Sequence, residues 1–171
     1  MDDQIVRPAR RDDFFSTPPL HVVLVEPEIP GNTGNVARMC YATGSQLHLV
    51  EPLGFDITNS RLRRAGLDYW EDINVQVHKC LDDVVGPILA RERCFFFSTR
   101  ATQPFWEIPL QPGDALIFGK ESKGLGPERV EQFKDQLYHI PLAPDTVRSI
   151  NLSNSVAIAL FDGYRRIAGI T

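Results

Sequence analysis

LHVVLVEPEIPGNTGNVARMCYATGSQLHLV, residues 20–50, is the stretch whose reading decides the fold. Its first six residues and its last five are near-continuous apolar runs, the pattern of strands covered on both faces. Between them Val36, Met39, Cys40 and Thr43 recur at helical spacing. That helix begins after Pro30-Gly31-Asn32 and stops near Gly44, a residue suited to the left-handed C-terminal position. Strand, helix, strand is a β-α-β opening and predicts a parallel pair.

The same alternation continues downstream. Strands are expected at 75–78, 94–98, 115–118 and 137–140, and helices at 60–65, 81–91, 127–134 and 154–167. This order predicts an α/β fold, a mostly parallel sheet with helices on both faces. Residues 20–171 read as a single domain, and 171 residues suffice to bury a full core. Residues 103–113 carry Pro104, Pro109 and Pro112, yet Phe105, Trp106 and Ile108 mark a loop anchored to the core rather than a boundary. Residues 1–19 mix Asp2, Asp3, Asp12 and Asp13 with Arg7, Arg10 and Arg11, the composition of a disordered tail and not of a signal or transit peptide.

Composition sets further bounds. Cys40, Cys80 and Cys94 are odd in number and far apart, which fits a reducing, cytosolic setting better than a disulfide framework. The longest apolar run, 156–161, is far short of the ~20 residues a membrane span needs. His21, His48, His78 and His139 lack metal-ligand spacing, so no metal is expected, and no GxSxG elbow is present. A net charge of −4 does not announce a nucleic-acid binder. Cations nevertheless cluster at Arg61/Arg63/Arg64, Lys120/Lys123 and Arg165/Arg166, and a local stripe can hold phosphates on an acidic protein.

Three clusters could carry chemistry. On the first helix Asn35 and Arg38 share the side opposite the apolar residues, with Asn32 at its start, after the stiff loop Glu26-Pro-Glu-Ile-Pro-Gly31. Spacing alone favours a helix cap and a solvated arginine, and the stiffness of that loop tilts the balance toward a site. Next, the strand at 115–118 runs into Gly119-Lys-Glu-Ser-Lys-Gly-Leu-Gly126. This is neither a P-loop, since Leu125 stands where a lysine is needed, nor GxGxxG. Its glycines let backbone amides approach a flat ligand, with Glu121 as an acceptor. Last, Ser149, Asn151, Ser153, Asn154 and Ser155 crowd caps and donors ahead of 156–161, which is apolar around the whole helix. A helix on a monomer's surface keeps a polar face, so a homodimer is expected, with a central monomeric helix as the alternative.

In order along the chain, N-x-x-N-x-x-R (Asn32, Asn35, Arg38), G-x-E-x-x-G-L (Gly119, Glu121, Gly124, Leu125) and I-P…R-S-I-N-L-S-N-S (140–155) resemble the three motifs of SpoU-type methyltransferases of the SPOUT superfamily. The likeness covers residues 20 to 168. The strings EPEIPGNTGN (26–35) and LRRAGLDY (62–69) are similar to the TrmL branch, the tRNA wobble-nucleotide 2′-O-methyltransferases.

The resemblance implies a C-terminal trefoil knot, S-adenosylmethionine held within it, and a site completed across a homodimer. It implies cofactor contacts from Phe97, Gly119, Ile140 and Ser149, with Leu125 or Leu152 packing nearby. It places Asn32, Arg38, Glu121 and Asn151 around the reacting groups of a wobble cytidine or uridine. A guanidinium is a poor general base, so Arg38 is expected to stabilise the developing alkoxide, and the proton acceptor stays open. Asn32 and Asn35 would orient that arginine or a phosphate, while Arg61, Arg63, Arg64, Arg165 and Arg166 would hold the anticodon stem-loop. Related enzymes share all three motifs, so ribosomal RNA or another tRNA position is the competing substrate, and a noncatalytic RNA-binding protein is the second alternative.

Overall fold

A computed structural model describes residues 19–57, 73 and 75–169. Seven strands form one parallel sheet: β1 (Leu20–Val25), β2 (Gln46–Val50), β3 (Val75–His78), β4 (Cys94–Phe97), β5 (Gln103–Pro104), β6 (Asp114–Phe118) and β7 (Leu137–His139), in the spatial order β3-β2-β1-β6-β4-β7-β5. The register places Val22 beside Leu47 on one side and Leu116 on the other, at the centre of the sheet. Every residue of β2, β4 and β6 is buried, as their unbroken apolar runs require of strands covered on both faces. Pro19, counted with the tail by its sequence, is buried, and its carbonyl accepts a hydrogen bond from the Gly113 amide at 2.9 Å.

Among the described residues three α-helices accompany the sheet: α1 (Pro30–Thr43), α2 (Pro127–Gln132) and α3 (Leu152–Ile167). Pro30 opens α1 where a missing amide costs nothing, and Gly44 closes it at φ 79°. Val36, Ala37 and Cys40 of α1 pack with Val156, Ala159 and Leu160 of α3 against one face of the sheet. Leu81, Val84, Leu89, Leu125 and Phe133 cover the other. Helices thus lie on both faces, with the long pair on one side.

One expected helix is absent. Residues 81–91 form a 3-10 turn at Leu81–Asp83, then irregular turns, and reach a second 3-10 turn at Arg91–Arg93. Gly86 adopts φ +104° and bonds the Leu89 carbonyl at 2.7 Å, and Pro87 has no amide to continue a helix. The helix expected from 127 ends at Gln132, with a 3-10 turn at Lys134–Gln136 beyond it. The loop at 103–113 contains the two-residue strand β5, and Phe105 and Ile108 anchor it while Trp106 stays 55% exposed. The expected helix at 60–65, Arg61, Arg63, Arg64 and the tail before Pro19 lie outside the described residues.

Candidate active site

The loops that follow β4 and β6, together with the segment joining β7 to α3, enclose a cavity of about 780 Å³. It lies beyond the C-terminal ends of parallel strands, where open α/β sheets take their ligands. Phe97, Gly119, Leu125, Ile140, Ser149 and Leu152 all line it, as do Asn32, Glu121 and Asn151. Three sequence-distant motifs therefore meet at one place.

A polar relay ties them together. The Glu121 carboxylate accepts hydrogen bonds from the Glu28 amide (2.7 Å), the Ile29 amide (3.2 Å) and the Asn32 side-chain Nδ2 (2.9 Å). Asn32 Oδ1 in turn accepts from Asn151 Nδ2 at 3.0 Å. Asn151 Oδ1 accepts from the Ser153 amide (2.8 Å) and the Asn154 amide (3.4 Å), capping α3. Glu121 cannot donate once ionised, so it fixes which end of the Asn32 amide faces Asn151. The expected free acceptor is thus a clamp that positions α1, the β6 loop and α3 against one another.

The approach to α1 is held as firmly as its prolines suggest. Glu26 sits at φ 54° and pairs with Lys120 at 2.8 Å and Arg129 at 2.7 Å. The hydrogen bond from Lys120, with Arg129 beside it, holds the Glu26 carboxyl below its ordinary range against the opposing effect of burial. Glu28 receives the Ser122 amide (2.9 Å) and hydroxyl (2.8 Å). Gly119 allows this loop to turn back on itself: a Cβ there would stand 2.0 Å from the Gly124 carbonyl carbon and 2.2 Å from the Leu125 nitrogen. No other residue fits.

The remaining predicted residues are not gathered here. Asn35 and Arg38 are exposed on α1 and do not line the cavity, while Asn32 is only 6% exposed and does. Arg166 bonds the carbonyls of Trp106 and Ile108 and lies 3.5 Å from Asp162, so its guanidinium ties α3 to the β5 loop. Arg165 pairs with Asp162 at 3.1 Å. Arg148, present in the 140–155 motif but given no role, and His139, considered only as a metal ligand, line the cavity, as does Arg100, which belongs to no motif. Arg148 adjoins Ser149 and could have been found with it, whereas nothing around Arg100 marks it.

A cavity of this size suits a nucleoside-sized ligand. His139 leaves its buried Nδ1 without a partner among the described residues, and a polar ligand would satisfy it. Apolar walls from Phe97, Leu125 and Leu152 beside the glycine loop fit S-adenosylmethionine, which has a flat base, a ribose and a charged tail.

Comparisons with known proteins agree. Residues 19–161 match the family described as the SpoU rRNA Methylase family. The tRNA (cytidine(34)-2'-O)-methyltransferase of Burkholderia pseudomallei is 46% identical over 148 residues, covering 85% of this chain and 94% of the relative. The protein of the same name from Saccharophagus degradans is 43% identical, covering 86% and 95%. A solved structure concerned with the 2-OH methylation of C/U34 on tRNA superposes with a TM-score of 0.81 at 42% identity, covering 88% of this chain and 97% of that one. The SpoU methyltransferase AviRb of Streptomyces viridochromogenes, solved with AdoMet, shares the fold at a TM-score of 0.74 and 19% identity, covering 94% and 62%.

Proposed function

The chain belongs to the SpoU methylase family, and from that premise we propose that it transfers a methyl group from S-adenosylmethionine to the ribose 2′-hydroxyl of the tRNA wobble nucleotide, cytidine or uridine 34. The observation that carries this is the meeting of three distant motifs around one nucleoside-sized cavity, in a chain 46% identical to a named C34 methyltransferase. When bound, S-adenosylmethionine supplies an electrophilic methyl, which the 2′-oxygen takes as the carbon–sulfur bond breaks.

The protein's contribution is chiefly placement. Aligning the hydroxyl behind the methyl can supply roughly 7 to 11 kcal/mol of barrier reduction. The backbone of Phe97, Gly119, Ile140 and Ser149 would hold the cofactor, with Leu125 and Leu152 against its apolar parts. Asn32, Glu121 and Asn151 keep those loops in register through the relay. Arg38 stabilises the alkoxide that develops as the 2′-hydroxyl loses its proton.

Arg38 lies outside the cavity of its own chain, so the reading includes a homodimer. α1 and α3 pack on the same face of the sheet, and their outer sides leave Tyr41, Ile158 and Phe161 38%, 41% and 46% exposed. A second copy covering this face would bring its Arg38 to the cavity. The reading also includes a C-terminal trefoil knot. It is supported by the β7–α3 segment, which leaves the β7 side of the sheet, lines the cavity and enters a helix packed beside β1. A cytosolic setting follows from a tRNA substrate and agrees with Cys40, Cys80 and Cys94 forming no disulfide.

Nucleoside mass spectrometry with position mapping, on unmodified total tRNA incubated with the protein and S-adenosylmethionine, tests the reading. A 2′-O-methyl group at nucleotide 34 is expected. Methylation elsewhere overturns the substrate, and none at all overturns the enzyme.

A further inference from the structure

The cavity mouth carries more positive charge than a nucleoside cofactor can use. Four cations line it, Arg100, Lys120, Lys123 and Arg148, with one carboxylate, Glu121. That excess stands in a chain whose net charge is −4. Two of these five groups are already engaged: the Glu121 oxygens receive three N–H donors, and Lys120 is paired with Glu26 at 2.8 Å.

Arg100, Lys123 and Arg148 remain. All three are exposed, and among the described residues none of them forms an ion pair. Glu28, on which Lys123 acts, already has its carboxylate receiving the Ser122 amide and hydroxyl. The three cations come from three separate loops, after β4, after β6 and between β7 and α3, so only the folded chain brings them to one rim.

On the reading that tRNA is the substrate, we infer that Arg100, Lys123 and Arg148 form a phosphodiester-binding rim that holds the single-stranded RNA on either side of the methylated nucleotide. Spread around the mouth, they match a polyanion whose successive phosphates straddle the cavity, whereas a single carboxylate on the cofactor needs only one of them. The arginines supply planar forks that take two phosphate oxygens at once, and Lys123 supplies a point charge. The rim also does what Arg166 cannot, since that guanidinium is held by the carbonyls of Trp106 and Ile108.

The test measures binding of unmodified tRNA and of its isolated anticodon stem-loop against salt concentration, with S-adenosylmethionine affinity measured separately. The proteins are the wild type, Arg100→Gln, Lys123→Gln, Arg148→Gln, the triple variant, and Lys79→Gln as an exposed cation away from the cavity. Each lost contact to a single strand should make the log–log salt slope about 0.7 less negative, so the triple variant should differ from wild type by about 2. S-adenosylmethionine affinity and the Lys79→Gln slope should stay as in wild type. A triple variant that keeps the wild-type slope overturns the rim, and so does a parallel loss of S-adenosylmethionine affinity, which would assign these cations to the cofactor. If the wild type binds no tRNA, the substrate reading fails as well. If it methylates tRNA while the slope stays unchanged in the triple variant, the rim alone fails.

Discussion

Asn151 joins two jobs in one amide: its oxygen caps α3 and its nitrogen donates to Asn32. Two substitutions separate them. Asn151→Ala should lose both, at a cost of about 1 kcal/mol for the cap alone, read as a lower unfolding midpoint. Asn151→Asp should keep the cap but set a second acceptor against Asn32 Oδ1, which cannot turn round without losing its bond to Glu121. Calorimetry should therefore show weakened S-adenosylmethionine binding in Asn151→Asp with most of the cap's stability kept, and unchanged binding would show that the relay does not shape the cavity. Arg38→Lys tests a different link: replacing the planar fork should lower kcat by roughly 10² to 10³ while leaving the RNA KM near wild type. Full turnover in single-turnover assays would remove the need for a guanidinium. The residue types that line the cavity were legible as motifs, but their contacts were not. Glu121 looked like a free acceptor because the amides it serves lie 92 and 93 positions away along the chain.

At the scale of elements, the parallel register has an effect that spacing of histidines along the sequence hides. Neighbouring strands β1, β2 and β3 bring His21 Nδ1 within 2.9 Å of His48 Nε2, and His48 Nδ1 within 3.0 Å of His78 Nε2. His48 is 1% exposed, and burial together with its two neighbours pushes it down to about 3, while burial also lowers His21 and His78. The sign follows from proton uptake. Between about 3 and 6.5 the unfolded chain binds a proton that folded His48 refuses, so stability present above pH 6.5 is lost as pH falls through that window. For His48 the slope approaches about 1.4 kcal/mol per pH unit. Urea unfolding at pH 7.5, 6.5 and 5.5 should show that decline in wild type and a shallower one in His48→Asn; a flat wild-type profile would mean that the histidines charge without unfolding. Strands β2, β4 and β6 were legible because each is buried on both faces and reads as an apolar run. The helix expected at 81–91 failed where local chemistry overrode periodicity, at Gly86-Pro87, and β5 escaped because two residues carry no pattern.

For the whole molecule, the decisive question is whose Arg38 serves which cavity. The apolar circumference of residues 156–161 was legible, and folding buries only part of it: Val156, Ala159 and Leu160 face the sheet while Ile158 and Phe161 stay exposed. A domain of this size gains little by displaying such a face alone, and a two-fold contact would pair it with its own copy. Charge substitutions Ile158→Glu with Phe161→Glu should then yield monomers in sedimentation velocity and abolish methyl transfer without unfolding the chain. Subunit mixing decides the geometry more sharply. Arg38→Ala and Ser149→Trp should each be inactive, the first lacking the alkoxide stabiliser and the second filling the cavity with an indole. If Arg38 acts across the contact, a mixed dimer carries one site in which both defects meet and one in which neither does. Random assortment should then restore about a quarter of the wild-type rate on mixing. If Arg38 serves its own chain's cavity, every site in every mixed dimer keeps one defect, and mixing restores nothing.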